Sequence, residues 1–389
     1  MRSGCSSWKA MLKSCDVDIL RGLRIGAGVY HLAPRNRPGQ AIYSRHMTAR
    51  ESTNTLNIAV SGIPRGYQFP RPDGTWLQES HRKQILDISA RIQLLEVPAD
   101  RVTEGEGIEV LLAEGGNHVH YPGELDRRDY ERFFTPSLKW VRICSTGFSD
   151  NITERIVDGY VTLTNAPGLH TVPIAESVLA AMLGHAKNLA QRKCDQRTHA
   201  WRRLDNDELN DRTVLIVGLG NIGKAVARFC KAFQMTVIGT KRRVAPVENV
   251  DLVFAAEKLL EHLATADYIV IAAPHTPETE NMLDARAFAV MKPSAYLVNV
   301  GRGQVVEEGA LITALEEHRI AGAYLDAFNR EPLNADHVLW NMGNVLVVPH
   351  DSHSSPHIGD RMVDIFCDNL RRYVAGQPLL NICDPQRGY

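Results

Sequence analysis

The stretch TVLIVGLGNIGKAVARFCKAF, residues 213–233, constrains the fold more than any other part of the chain. A short β-branched run leads into Gly218, Gly220 and Gly223, and an amphipathic helical pattern starts directly behind them. Strand, glycine turn and helix in that order open a βαβ unit that binds a dinucleotide. The first glycine makes the tight turn, and the second lets backbone approach a pyrophosphate. The third lets the helix pack on the strand, so that backbone N–H groups at Asn221 and Ile222 face the phosphates. Six residues of glycine pattern alone are a weak signal. The flanking strand and helix make it specific.

The rest of the chain repeats this alternation. Apolar runs at 56–62, 92–97, 108–114 and 138–147 are separated by helical or polar stretches and read as a first parallel sheet. A second series, 213–218, 235–240, 268–274, 295–301, 322–328 and 344–350, reads as six strands with helical crossovers. Between them, 171–191 shows apolar residues at helical spacing, long enough to cross between domains and to offer a dimer face. The tail DIFCDNLRRYVAGQPLL reads as an amphipathic helix that packs back on the first domain. The expected fold class is therefore α/β, with two doubly wound parallel-sheet domains. A cofactor domain at 166–349 is inserted in a substrate domain formed by 55–165 and 350–389.

A net charge of −1 leaves no field that would draw nucleic acid or an anionic membrane, and no apolar run reaches bilayer length. Seven cysteines without a CxxC pair fit a reducing compartment rather than a disulfide framework, and no metal is expected. Residues 1–54 stand apart: nine Lys or Arg fall in the first 50 residues against only Asp16 and Asp18. That composition reads as a poorly packed extension of a cytoplasmic protein, or alternatively as a mitochondrial leader.

Behind the second strand of the dinucleotide unit come Lys241, Arg242 and Arg243, and no Asp or Glu occurs between Gly223 and Glu248. An acid there would bind the ribose hydroxyls of NAD. Guanidinium forks and an ammonium instead favour a 2′-phosphate, so NADPH is the expected cofactor and NADH the weaker one.

Three further segments, NVGRGQVVEEGAL (299–311), YLDAFNREPL (324–333) and VVPHDSHSS (347–355), place polar residues at strand C-terminal ends. Open α/β sheets bind ligands on that edge. Arg302, Glu331 and His350 follow in order, 29 and 19 residues apart. An arginine can clamp a carboxylate and polarise the carbonyl beside it. A histidine can give up a proton near neutral pH, and a neighbouring carboxylate orients its ring and favours the protonated form. His353 and His357 are rivals to His350, and Asp326 could be an ordinary strand-end carboxylate.

With these motifs in hand, the chain from residue 56 onward resembles the D-isomer-specific 2-hydroxyacid dehydrogenase family. The basic residues at 241–243 place the likeness nearest to NADPH-dependent glyoxylate/hydroxypyruvate reductases. The resemblance implies a flavodoxin-like substrate domain and a Rossmann cofactor domain, and the apolar helix at 171–191 makes a homodimer the expected assembly. It implies catalytic roles for Arg302, Glu331 and His350, with His350 as proton donor. Pro274, Val300, Gly301 and Asp326 are expected beside the cofactor, and Thr146 and Gly147, in STGFSDN, would bind the substrate carboxylate together with Arg302. The chain departs from the family pattern in that loop, which is one residue longer, and in DSHSS after the histidine. The rival reading is a dinucleotide-sensing corepressor of the same fold, disfavoured by the basic triplet.

Overall fold

The computed structural model describes residues 55–61, 76–97, 107–113, 115–117, 125–126, 130–148 and 151–385, all within one unit, Arg45–Tyr389. The basic stretch 1–54, and Ser149 and Asp150 of the carboxylate loop, lie outside the described residues.

Two large parallel sheets form, beside a two-stranded one that pairs Gly115–Asn117 with Leu125–Asp126. The first runs Ile92–Val97, Leu56–Ser61, Ile108–Ala113, Trp140–Ile143, Thr162–Thr164, the strand order 2-1-3-4-5 of a flavodoxin-like sheet. The second runs Leu252–Phe254, Thr236–Thr240, Thr213–Val217, Tyr268–Ile271, Tyr296–Asn299, Gly322–Leu325, Val345–Val347. Numbered along the chain, its order is 3-2-1-4-5-6-7, a Rossmann sheet extended by one edge strand. In these two large sheets, sequence reading missed two strands, Thr162–Thr164 and Leu252–Phe254. Each is three residues long, too short to display a period of its own, and each is defined by pairing with a neighbour.

Both faces of each sheet are covered, as parallel sheets require. On the second sheet Val214 and Ile216 face one core while Leu215 and Val217 face the other, all at most 1% exposed. On the first, Ile58, Leu112 and Trp140 share a core with Ile358, Met362, Phe366 and Leu370 of the helix Ile358–Val374. That helix is pinned further by His81 Nε2 to Asp360, 2.8 Å, and by Tyr373 Oη donating to Glu109, 2.6 Å. The C-terminal helix therefore does pack on the first sheet.

The helix expected over 171–191 is two helices. Thr171–Ala186 stops where its apolar run stops, and Asn188 adopts a left-handed conformation (φ 54°) before Leu189–Arg197 begins. Asparagine tolerates that conformation, and its Nδ2 donates to the Asp205 carbonyl at 2.7 Å. The apolar face of Thr171–Ala186 is already covered by the second sheet and the helix Asn221–Ala232, with Ala175, Val178 and Met182 wholly buried. It leaves little apolar surface for a dimer. Among the described residues no helix is long and apolar enough to cross a membrane.

Candidate active site

The dinucleotide end is built by close packing. Gly218 sits at φ 99°, and a Cβ on Gly223 would lie 2.1 Å from the Gly218 carbonyl oxygen, so the helix Asn221–Ala232 abuts the strand directly. Gly220 is different: a Cβ there would meet nothing within 4 Å. The space beside Gly220 is open, and no side chain caps the helix N-terminus behind it. Room for phosphate oxygens beside uncapped N–H groups is what a dinucleotide needs, so these residues fit the cofactor.

The Leu219 N–H donates to the Thr240 carbonyl at 3.2 Å and the Gly218 N–H to the Thr240 hydroxyl at 3.2 Å. The glycine loop and the end of the second strand are thereby tied together. Lys241 leaves that point half-buried, with Arg242 and Arg243 exposed. Across the crevice, the Thr276 hydroxyl, helped by backbone and the Arg242 charge, holds the Glu278 carboxyl below its usual range. The Arg242 charge is thus felt at the 274–279 loop. Pro274 is exposed on it, and Thr279 shapes it by donating to the Pro274 carbonyl at 2.7 Å. Val300 and Gly301 are buried against the end of Tyr268–Ile271. Their side of the site can offer backbone only.

The catalytic end converges from four strand ends. Asn299, 1% exposed, accepts the Gly301 N–H at 3.1 Å and donates to the Arg302 carbonyl at 3.2 Å, so it shapes the turn that projects Arg302. A Cβ on Gly303 would lie 2.0 Å from the Phe328 carbonyl carbon. Only glycine lets the Arg302 turn rest on the 328–331 loop. Glu331 then accepts the Phe328 N–H at 3.0 Å through Oε1 and meets His350 Nδ1 at 2.7 Å through Oε2. From the first sheet, Gly147 comes close: a Cβ there would stand 3.8 Å from Arg302 Nη2. The Thr146 and Gly147 carbonyls are taken by Asn165 (2.6 Å) and by the Ser145 hydroxyl (2.7 Å), and both residues are exposed. Arg302, Glu331, His350 and the Thr146–Gly147 loop are therefore brought together, as their strand-end positions predicted.

His350 follows Val345–Val347 in a left-handed turn (φ 52°). Asp326, 4% exposed, braces that turn by accepting the N–H groups of Asp351 (3.0 Å) and Ser352 (3.2 Å) on Oδ1. Tyr324 Oη and Ser352 Oγ add a buried 2.7 Å hydrogen bond. Asp326 is thus first a brace for the histidine turn, where the resemblance suggested a cofactor neighbour. Asn299, Ser145, Tyr324 and Ser352 were not foreseen. Asn299 lay inside a quoted motif, but its bracing role depends on side-chain direction at a strand end.

The two carboxyls respond oppositely to their surroundings. Burial pushes Glu331 up, but the His350 hydrogen bond and charge, the Phe328 N–H and the Arg302 charge together hold it below the usual range. Its contribution to stability is in place above about 4.5 and is lost as pH falls through its lowered value. Asp326 is pushed up by burial to about 6. A carboxyl raised in the folded protein destabilises it progressively as pH climbs from 3.8 to about 6. Asp326→Asn keeps an Oδ1 acceptor for both N–H groups and does not titrate. The stability of the wild type relative to Asp326→Asn should decline over that window, by on the order of 1–3 kcal/mol. Thermal midpoints of both proteins across that range test this, and a difference that does not vary with pH would rule out Asp326 as the titrating group.

A dinucleotide cradle joined to an arginine, a half-buried carboxylate–imidazole pair and an exposed glycine loop defines an NAD(P)-dependent oxidoreductase that handles a small acid. Known proteins agree. Residues 179–352 match the family described as D-isomer specific 2-hydroxyacid dehydrogenase, NAD binding domain. A glyoxylate reductase of Thermococcus gammatolerans is 32% identical over 291 residues, covering 72% of this chain and 84% of the relative. Glyoxylate/hydroxypyruvate reductase B of Yersinia pestis is 32% identical over 259 residues, covering 64% and 79%. A solved D-isomer specific 2-hydroxyacid dehydrogenase from Xanthobacter autotrophicus Py2, in complex with NADPH and MES, shares the fold with a TM-score of 0.67. It is 27% identical, with 86% of this chain and all of that one covered. The chain belongs to the D-isomer specific 2-hydroxyacid dehydrogenase family and is an NAD(P)-dependent enzyme of 2-keto and 2-hydroxy acids.

Proposed function

We propose that this enzyme reduces a small 2-keto acid of the glyoxylate/hydroxypyruvate type to the D-2-hydroxy acid, with NADPH. The observation that carries the reading is the 2.7 Å contact of Glu331 with His350 Nδ1, set beside Arg302. Glu331 is held in its ionised form and accepts hydrogen bonds, so Nδ1 carries the donated proton. The ring's other nitrogen, Nε2, is then the atom that gives a proton to the substrate oxygen. Arg302 clamps the carboxylate and stabilises charge developing on the carbonyl, while Thr146 and Gly147 meet the carboxylate from the first sheet. Bound against Gly218–Gly223, the cofactor supplies the hydride. In this reading residues 166–349 form the cofactor domain and residues 55–165 with 350–389 the substrate domain. Small size in the relatives' named substrates supports the substrate class. Assay of glyoxylate, hydroxypyruvate and bulkier keto acids with NADPH tests it, and a wide preference for branched or aromatic acids would reject it.

The cofactor preference rests on Lys241, Arg242 and Arg243, on the lack of an acid at the second strand's end, and on the NADPH held by the Xanthobacter neighbour. The expected kcat/KM with NADPH exceeds that with NADH by roughly tenfold or more, about 1.4 kcal/mol of differential binding. Changing Arg242 and Arg243 together to alanine should erode the preference mainly through KM. Equal use of the two cofactors by the unaltered enzyme would end this assignment.

The enzyme is further proposed to act as a homodimer. Leu189 and Trp201, 54% and 101% exposed, are among the apolar residues open for it, unlike the covered face of Thr171–Ala186. Sedimentation velocity decides the matter, and a monomer at micromolar concentration would exclude it.

A further inference from the structure

Three imidazoles stand in a row beside the reacting site. The His353 ring centroid lies 6.1 Å from that of His350, with the rings at 84°, and 5.1 Å from that of His170, again at 84°. All three side chains are partly exposed. His353 is not loosely placed. The Asp326 carboxylate that fixes the His350 turn takes the N–H groups of Asp351 and Ser352, immediately before His353. Ser352 is anchored again through its hydroxyl to Tyr324 and through its carbonyl, which accepts from Ser177 Oγ at 3.4 Å. One brace thus sets both rings with respect to each other, and His350 Nδ1 is already engaged by Glu331.

We propose that His353 is a specificity-determining residue, one that hydrogen-bonds an oxygen on C3 of the 2-keto acid. The inference rests on the substrate class proposed above. In the proposed pose the carboxylate lies at Arg302 and the carbonyl oxygen at His350, and the remaining substituent runs toward the braced turn; there Asp351 is exposed, the Ser352 hydroxyl is already engaged by Tyr324, and His353 is the next imidazole. An imidazole edge offers a donor on one nitrogen and an acceptor on the other. A hydroxyl satisfies either one, so it suits this neighbour whichever tautomer His353 holds. A hydrogen atom or a methyl group at the same place leaves the imidazole nitrogen without that partner. A site built to hydrogen-bond a substrate oxygen discriminates against substrates that lack it. His353 therefore favours hydroxypyruvate, which carries a C3 hydroxyl, over glyoxylate, which has no C3.

The test is the ratio of kcat/KM for hydroxypyruvate to that for glyoxylate, measured with NADPH for the wild type, His353→Ala, His353→Asn and His353→Phe. Loss of one hydrogen bond should lower the ratio roughly tenfold in His353→Ala and His353→Phe. His353→Asn, which retains a donor and an acceptor on a shorter stem, should recover part of it. His353→Phe keeps the ring's bulk and serves alone if the alanine variant does not fold. A wild type that reduces both acids, with the ratio unmoved in the variants, overturns the role of His353 and leaves the proposed function standing. A wild type that reduces neither acid overturns the substrate class and this inference with it. Parallel losses on both substrates would make His353 a structural residue only.

Discussion

Replacing His350 with glutamine lowers kcat for keto acid reduction by about 10²-fold or more, with cofactor affinity largely retained. Glutamine fills the volume and keeps a hydrogen-bonding group near Glu331, but it cannot give up a proton near neutral pH. A general acid contributes about 10²–10⁴-fold, so this substitution removes one of the larger single contributions to rate. The cofactor cradle at Gly218–Gly223 belongs to a different strand end, which is why NADPH binding should persist. Stopped-flow or steady-state kinetics with a fluorescence titration of NADPH separates the two quantities. A fully active His350→Gln would move the acid role to another group, with His353 the nearest imidazole candidate at 6.1 Å. Glu331→Gln should be milder, because its amide oxygen still accepts from the ring or from the Phe328 N–H.

Arg302→Ala should lower kcat by roughly 10²–10³-fold and raise KM as well. One guanidinium binds the carboxylate in the ground state and steadies the carbonyl oxygen as charge builds on it. Its removal must therefore appear in both constants. Arg302→Lys keeps the positive charge and loses the planar fork, so it should recover only part of the loss. Arg302 Nη1 donates to the Gly301 carbonyl at 2.8 Å, but Asn299 and the close packing at Gly303 also hold the backbone of the turn, so the loop should survive the substitution. A change confined to KM would show that Arg302 merely binds the substrate and takes no part in stabilising the reaction.

Much of this site could be read before any coordinates. Arg302, Glu331 and His350 are separated by whole strand–helix units, and a parallel sheet returns every strand end to one edge. Spacing of that kind becomes proximity as soon as the sheet is recognised. The glycine loop was legible for the same reason, since its turn and its helix are encoded locally. The bracing residues were not. Asn299 and Asp326 act through side chain to backbone hydrogen bonds across loops and Ser352 through its hydroxyl to Tyr324, and no periodicity announces which way a strand-end side chain turns. The break at Asn188 was also hidden, because helical spacing in 171–191 continues past the residue whose left-handed backbone ends the first helix. The short edge strand Leu252–Phe254 owes its existence to register with Ile238–Thr240 rather than to its own three residues.

The helix Ile358–Val374 covers a sheet whose described strands all lie before residue 165. As the chain emerges from the ribosome, the strands of the second sheet are all present by Val347, whereas one face of the first sheet still lacks Phe366 and Leu370. Domains tend to form as units during synthesis. The enzyme is therefore assembled out of order: the part made in the middle can mature first, and the part begun first is sealed last. In that interval the face carrying Ile58, Leu112 and Trp140 is covered only in part, by Trp76, Leu77 and Ile85, and is open to misassembly and to chaperone capture.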